Sequence, residues 1–404
     1  MGYGLLGEKL GHSFSKDIHK LIGGYEYELY EKNIEEIPSF LESGIDGFNV
    51  TIPYKIEIMK YLDEVGDNAK KIGCVNTVVN RNGKWIGENT DYFGFEYTLE
   101  SLGEDISSAI ILGDGATSKT VATVLSDKQI KFHKLSRKTH PYYLQIDEFL
   151  DVDLVVNTTP VGMYPNNGES LISLKKFKNL KAVVDVVYNP IITPILFEAR
   201  ELNIPNSNGL LMLVAQAVKA AEIFTGMSEV EKIDSIRTEI MKNRNLILIG
   251  MPDSGKSSVG PKIAERLGRE FVDLDSEIEE FAQKSIPEIF SEDGEDVFRS
   301  IETKICKKFG KLNGLVISTG GGVVTKRENY RPLKQNGKIY LLKRELKDLN
   351  LSNRPLSKEY GTAEELWNKR REQYLEFADK IVVNTDIEKS VEEIVGDFYG
   401  NIGN

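Results

Sequence analysis

The sequence predicts an α/β protein built on more than one parallel sheet. Short apolar runs rich in β-branched residues alternate with helix-forming segments through most of the chain, as buried parallel strands and crossover helices do. Two of these runs end in glycine-rich turns that open helices, one at Gly113 and one at Gly250, and two separate phosphate-binding starts imply two separate sheets. The length of 404 residues also exceeds what one hydrophobic core usually organises. The strand-like runs are Ala109 to Leu112, Lys131 to Leu135, Leu154 to Val156, Ala182 to Val184, Leu246 to Ile249, Leu315 to Ile317 and Ile339 to Leu342. Between the two glycine turns, Ser228 to Arg244 reads as an amphipathic helix with Ile233, Ile236 and Ile240 on one side, and the domain boundary is placed there.

Composition narrows the function. Apolar residues make up 40% and charged residues 28%, enough apolar surface to bury a core and too much for a long disordered stretch. A net charge of -11 disfavours broad attraction to nucleic acid or to anionic lipid. No apolar run reaches the ~20 residues a membrane span needs, and the first residues lack a signal-peptide pattern, so a cytoplasmic protein is expected. Cys74 and Cys306 stand far apart without metal-ligand spacing, and both are expected to be packing residues.

The first glycine turn, Leu112 to Lys119, follows a strand and opens a helix. Gly113 and Gly115 allow a tight turn and close approach to a pyrophosphate, which the N–H groups from Ala116 onward would hold; Ser118 stands where a third glycine is usual. After the next strand comes Ser136-Arg137-Lys138 in place of an acidic residue. Such donors suit a ribose 2′-phosphate, so the expected cofactor is NADP(H) in a Rossmann-like lobe. Asp114 places a negative charge in the same loop.

Upstream, Gly11 to Ser15, Asn49 to Lys55, Gly73 to Thr77 and Gly87 to Asp91 set hydroxyls, amides, one lysine and one carboxylate at turn-like positions, a set suited to a polyhydroxylated ligand. With Asn157 to Met163, Asp185 to Pro190 and Gly209 to Ala217 in the same order, residues 1 to about 238 resemble shikimate dehydrogenase. The resemblance implies Lys55 and Asp91 as the catalytic pair, with Ser13, Ser15, Thr51, Asn76, Asp91, Tyr188 and Gln216 holding the substrate. Lys16, Lys20 and Asp114 depart from that family's usual residues. A lysine beside a carboxylate can deliver the proton that carbonyl reduction requires.

The second glycine turn, Gly250 to Ser257, fits G-x-x-x-x-G-K-[ST] directly after a strand. In such a P-loop the backbone around Gly250, Ser254, Gly255 and Ser258 cradles phosphates, Lys256 reaches the β/γ oxygens and the Ser257 hydroxyl ligates Mg²⁺. Phe271 to Asp275 sets two carboxylates two residues apart, on one face if the run is extended. Together with Gly294 to Arg299, Gly320 to Gly322, Arg354 to Leu356 and Arg370 to Tyr374, these motifs make residues 245 to 404 similar to shikimate kinase. By that likeness Asp275, Arg299, Gly321 and Arg370 grip shikimate and Asp275 takes the hydroxyl proton. Asp273 supports Mg²⁺ through its shell, and Arg354 closes from the lid over the transferring phosphate of ATP. The lid after Leu342 looks short, with Lys343, Arg344 or Lys347 available as its second cation.

The expected organisation is therefore a dehydrogenase-like part at 1–240, with a substrate lobe at about 1–102 plus 206–240 and an NADP lobe at about 103–205, followed by a kinase-like part at 244–404. The two resemblances agree, because 3-dehydroshikimate reduced by the first is shikimate for the second. The alternatives are a quinate or other cyclic polyol dehydrogenase fused to another small-molecule kinase, and a binding regulator without turnover.

Overall fold

A computed structural model describes residues 2–11, 14–137, 141–165, 167–349 and 362–400. The chain divides into two compact units between Ile240 and Met241. No helix among the described residues is long and apolar enough to cross a membrane.

The first unit holds two sheets. Its first sheet has six strands in the order β2-β1-β3-β5-β6-β4, formed by β1 (Gly2–Gly7), β2 (Glu26–Glu31), β3 (Gly47–Val50), β4 (Glu64–Val65), β5 (Thr77–Arg81) and β6 (Lys84–Glu88). β1 runs parallel to β2 and β3, whereas β5 runs antiparallel to β3 and β6. Asn82-Gly83 between Arg81 and Lys84 closes the β5–β6 hairpin as a two-residue turn.

The second sheet is wholly parallel, in the order β11-β10-β9-β7-β8, from β7 (Ser108–Leu112), β8 (Lys131–Leu135), β9 (Leu154–Asn157), β10 (Ala182–Asp185) and β11 (Asn206–Ser207). β7, β9 and β10 lie inside and are covered on both faces, which is why they read as unbroken apolar runs. β11 adds Asn206 and Ser207 to this sheet, so the later helices of the substrate lobe begin after them, at Gly209. The helix Gly209–Thr225 then packs on Asp91–Ser101, with Phe95, Leu99 and Met212 joining the strand side chains in one core. Val230–Lys232 forms a short 3-10 turn before the helix Ile233–Met241, which buries Ile233 and Ile236.

The second unit has one parallel sheet, β13-β14-β12-β15-β16, from β12 (Asn245–Ile249), β13 (Phe271–Asp273), β14 (Val316–Ser318), β15 (Gly337–Lys343) and β16 (Lys380–Val383). Alternation along the strands builds two cores. Ile247, Ile249, Ile317, Ile339 and Leu341 enter one face, while Leu246, Leu248, Val316, Tyr340 and Leu342 enter the other. Cys74 and Cys306 are both buried and free.

One buried group makes the first unit acid-sensitive. His19 is fully buried, stacked on Tyr27 with ring centroids 3.8 Å apart, and its Nδ1 shares a hydrogen bond with Tyr25 Oη at 2.5 Å. Burial pushes its pKa from 6.5 down to about 3. The folded form stays neutral while the unfolded chain takes up a proton below 6.5, so this group costs stability as pH falls from 6.5 toward 3. The expected slope is about 1.4 kcal/mol per pH unit. His19→Phe is expected to flatten the fall in unfolding midpoint of the N-terminal unit between those limits, checked by amide exchange in β1 and β2 as a function of pH. Equal slopes for both proteins would remove His19 from the account.

Candidate active sites

In the first unit the chain leaves β3 through a turn that carries Lys55, and Asp91 begins the helix Asp91–Ser101. Lys55 Nζ donates to Asp91 Oδ2 at 2.6 Å, with side chains 18% and 13% exposed. Asp91 occupies the first turn of its helix, where the helix dipole favours a carboxylate. Beneath the pair lies a polar network. Asn76 Nδ2 donates to Thr90 Oγ1 at 3.1 Å and to Gln216 Oε1 at 3.4 Å, and Thr90 N donates to Asn76 Oδ1 at 2.7 Å. Asn49 Nδ2 donates to Thr77 Oγ1 at 3.0 Å and accepts on Oδ1 from Tyr27 Oη at 2.7 Å. Asn49, Thr77 and Thr90 are buried members of this network that the sequence reading did not name one by one, although all three fall inside the motifs quoted above; their signal is the polarity of those motifs.

Thr51 is half-buried at the end of β3, its N–H donating to Leu6 O at 3.0 Å. Ser15 opens the helix Ser15–Ile22. Its neighbour Phe14 meets the Tyr188 ring at 5.6 Å between centroids, which brings the N-terminal motif to the turn after β10; burial raises the Tyr188 phenol. Ser13 lies outside the described residues.

The nucleotide turn keeps its shape with only two of three glycines. Gly113 sits at φ +123°, and a Cβ there would stand 2.5 Å from Thr158 Oγ1, so no other residue fits. Ser118 is buried and its Oγ donates to Gly113 O at 2.9 Å, tying the helix Ala116–Asp127 back to the turn in place of the third glycine. Gly115 caps that helix and Ala116 begins it. Asp114 pairs with Lys134 of β8, Nζ to Oδ1 at 3.2 Å, so its charge is offset from the neighbouring strand. Ser136 is buried at the end of β8, Arg137 is exposed beside it, and Lys138 lies outside the described residues.

In the second unit the P-loop bends through Gly250 at φ +151° and Gly255 at φ +98° into the helix Lys256–Leu267. Lys256 is 7% exposed, and its Nζ donates to Gly250 O and Met251 O at 2.9 Å each. Asn384, not singled out from sequence, braces the loop by donating to Ser254 O at 2.9 Å. Lys256, Ser257, Ser258, Asp273, Asp275 and Gly321 line one cavity of about 290 Å³.

The extended run imagined for the two aspartates ends early. β13 stops at Asp273, which caps the helix Leu274–Ala282 by accepting from Asp275 N at 3.0 Å. A helix cap satisfies otherwise orphaned N–H groups, and it brings both carboxylates to the cavity by a different route. Asp273 Oδ2 is 3.5 Å from Ser257 Oγ.

Arg299 is 3% exposed, stacked over Phe298 and held by Glu295 and by Glu302, Nη1 to Oε2 at 2.9 Å. Glu302 has no place in the sequence reading; burial pushes its pKa up, and it stands one helical turn from Arg299, a spacing that could have flagged it. Arg370 Nη1 donates to Gly321 O at 3.1 Å, and Tyr374 Oη donates to the same carbonyl. Arg344 lies 3.9 Å from Asp253 of the P-loop, while Lys343 sits over the Trp367 ring. Arg354 lies outside the described residues.

Residues 5–78 match the family model described as shikimate dehydrogenase substrate binding domain. The chain is 37% identical over 250 residues to the shikimate dehydrogenase (NADP(+)) of Clostridium perfringens strain SM101, covering 56% of this chain and 92% of that protein. The chain belongs to the shikimate dehydrogenase family. Among solved structures, the chorismate mutase/shikimate 5-dehydrogenase fusion protein from Clostridium acetobutylicum matches with TM-score 0.56 and 36% identity, over 59% of this chain and 96% of that one. The shikimate 5-dehydrogenase from Thermus thermophilus, solved with NADP(H) and shikimate, matches with TM-score 0.55 and 27% identity, over 59% and 99%. All of this falls on the dehydrogenase unit. Residues 252–399 match the family model described as shikimate kinase, which gives the dehydrogenase a kinase domain on the same chain.

Proposed function

We propose that the chain is a bifunctional shikimate-pathway enzyme: its first unit reduces 3-dehydroshikimate to shikimate with NADPH, and its second phosphorylates shikimate with ATP to shikimate 3-phosphate. The supporting observation is the Lys55–Asp91 pair at 2.6 Å in one unit, matched by a P-loop cavity bearing Lys256 and Asp275 in the other. One site makes what the other consumes. A cytoplasmic setting is part of this reading, as it fits a biosynthetic enzyme of this kind, and small molecules are the only partners the reading requires.

Bound NADPH supplies the hydride, and the protein supplies position and a proton. Ser13, Ser15, Thr51, Asn76, Tyr188 and Gln216 would hold the carboxylate and hydroxyls of the ring. Lys55, oriented by Asp91, would protonate the oxygen as the carbonyl carbon accepts hydride. Gly113, Gly115, Ala116 and Ser118 would hold the pyrophosphate at the helix N-terminus, with Ser136, Arg137 and Lys138 on the 2′-phosphate.

In the kinase unit, Asp275 would accept the hydroxyl proton of shikimate while Arg299, Gly321 and Arg370 fix the ring. The guanidinium forks suit its planar carboxylate. Lys256 and Arg354 would offset charge on the transferring group, with Gly250, Ser254, Gly255 and Ser258 framing the nucleotide phosphates. Ser257 Oγ and Asp273 Oδ2 form an all-oxygen pair on the cavity wall, the donor type a hard cation takes, so they would hold Mg²⁺, which neutralises phosphate charge.

Initial rates with shikimate and quinate, each with NADP⁺ and NAD⁺, test the dehydrogenase half. Shikimate with NADP⁺ is expected to be the best pair, and quinate with NAD⁺ being best would overturn the assignment. Arg137→Ala is expected to narrow the preference for NADP⁺ over NAD⁺ by about tenfold or more, the worth of a charge-assisted hydrogen bond. An unchanged ratio would take Arg137 out of cofactor selection.

A further inference from the structure

Asp185 ends β10 fully buried, and the mechanism above does not use it. Its Oδ1 accepts from Asn157 Nδ2 at 2.9 Å and from the Val187 N–H at 3.0 Å, and its Oδ2 accepts from Thr193 Oγ1 at 2.5 Å. These donors sit on three segments. Asn157 ends β9, Val187 lies in the turn that carries Tyr188, and Thr193 precedes the helix Pro194–Glu201.

The carboxyl therefore controls more than its own turn. Asn157 Oδ1 accepts from Thr159 N at 3.1 Å and Thr159 Oγ1 at 2.7 Å, and its Nδ2 also donates to Val161 O at 3.2 Å. Val187 O accepts from Gly209 N at 3.1 Å, at the start of the helix that bears Gln216. Two adjacent parallel strands thus have their exit loops fixed to one side chain, at the sheet edge where α/β proteins bind ligands.

Charge is not what this arrangement needs. Burial pushes the carboxyl up to about 7, so a neutral form is accessible near neutral pH. The Thr193 hydroxyl donates to a carboxylate and accepts from a protonated carboxyl or an amide, so every bond survives loss of the charge. We propose that Asp185 is a positioning residue for the dehydrogenase reaction, holding the Tyr188 turn and the Thr159–Val161 turn in register through hydrogen bonds. The proposal rests on the dehydrogenase reading of the first unit.

The test measures kcat and KM for shikimate oxidation by NADP⁺ in the full chain, with thermal unfolding recorded for each variant. Asp185→Asn, which keeps the bonds, is expected to stay within about twofold of wild type in both parameters. Asp185→Ala is expected to raise the KM for shikimate at least about tenfold, because the turns lose their common anchor. Thr193→Ser should match wild type and Thr193→Val should shift KM in the same direction as alanine at 185, which keeps the test alive if Asp185→Ala does not fold. An amide variant as impaired as the alanine variant, or Thr193→Val and Asp185→Ala proteins that fold with unchanged KM, would overturn the proposal. A folded wild-type chain that does not oxidise shikimate sinks the dehydrogenase reading itself, and this inference with it.

Discussion

Lys55→Ala is expected to lower kcat/KM for shikimate oxidation by about 10²- to 10⁴-fold, the usual worth of a positioned proton-transfer group. The side chain pairs with Asp91 and is only 18% exposed, so a water replacing its ammonium would be neither charged nor fixed in place. Asp91→Asn is expected to act in the same direction, since the amide cannot hold the ammonium as a carboxylate does. The phosphorylation rate of each variant should equal that of wild type, because Lys55 belongs to the first unit alone. Steady-state assays of both reactions on the same preparation check this. A Lys55→Ala chain that oxidises shikimate at the wild-type rate would leave the pair as a structural salt bridge.

Lys256→Ala is expected to do the reverse, lowering phosphorylation by about 10²- to 10³-fold or more and leaving the redox reaction intact. Two effects add. The charge that would meet the phosphates is lost, and the carbonyls of Gly250 and Met251 lose the donor that holds the loop's curvature at 2.9 Å. The second effect predicts weaker ATP binding as well as a lower kcat, so the KM for ATP should rise together with the fall in rate. A rate loss with unchanged nucleotide binding would confine Lys256 to the transferring phosphate. Loss of both activities from either lysine variant would refute independent sites.

Much of this was legible before the fold was seen, for a physical reason that differs from element to element. The P-loop is contiguous and its strand, turn and helix are adjacent in sequence, so Gly250 to Ser257 could be read whole. β7, β9, β10, β12 and β15 could be read because a parallel strand covered on both faces must be apolar throughout. The first sheet lacks that signal: β2 fully buries only Tyr27 and carries three glutamates, and β1 carries three glycines in six positions, so neither stands out as an apolar run. Side-chain partnerships were the least legible. Lys134 reaches Asp114 across neighbouring strands, Asn384 reaches the P-loop from the far end of the sheet, and Glu302 matters only because Arg299 is buried beside it. The first two depend on tertiary contacts that no local spacing encodes, whereas Glu302 stands one helical turn from Arg299 and only its burial was hidden. Asp273 and Asp275 show the opposite case, in which the right residues were found through a local geometry that the helix cap replaced.

The most direct measurement mixes the purified full chain with 3-dehydroshikimate, NADPH and ATP–Mg²⁺ and follows nicotinamide absorbance and ADP release together. The account predicts that NADPH is consumed and that ADP appears only when both 3-dehydroshikimate and NADPH are present, or when shikimate is added in their place. A chain that neither oxidises NADPH with the ketone nor releases ADP with shikimate contradicts it.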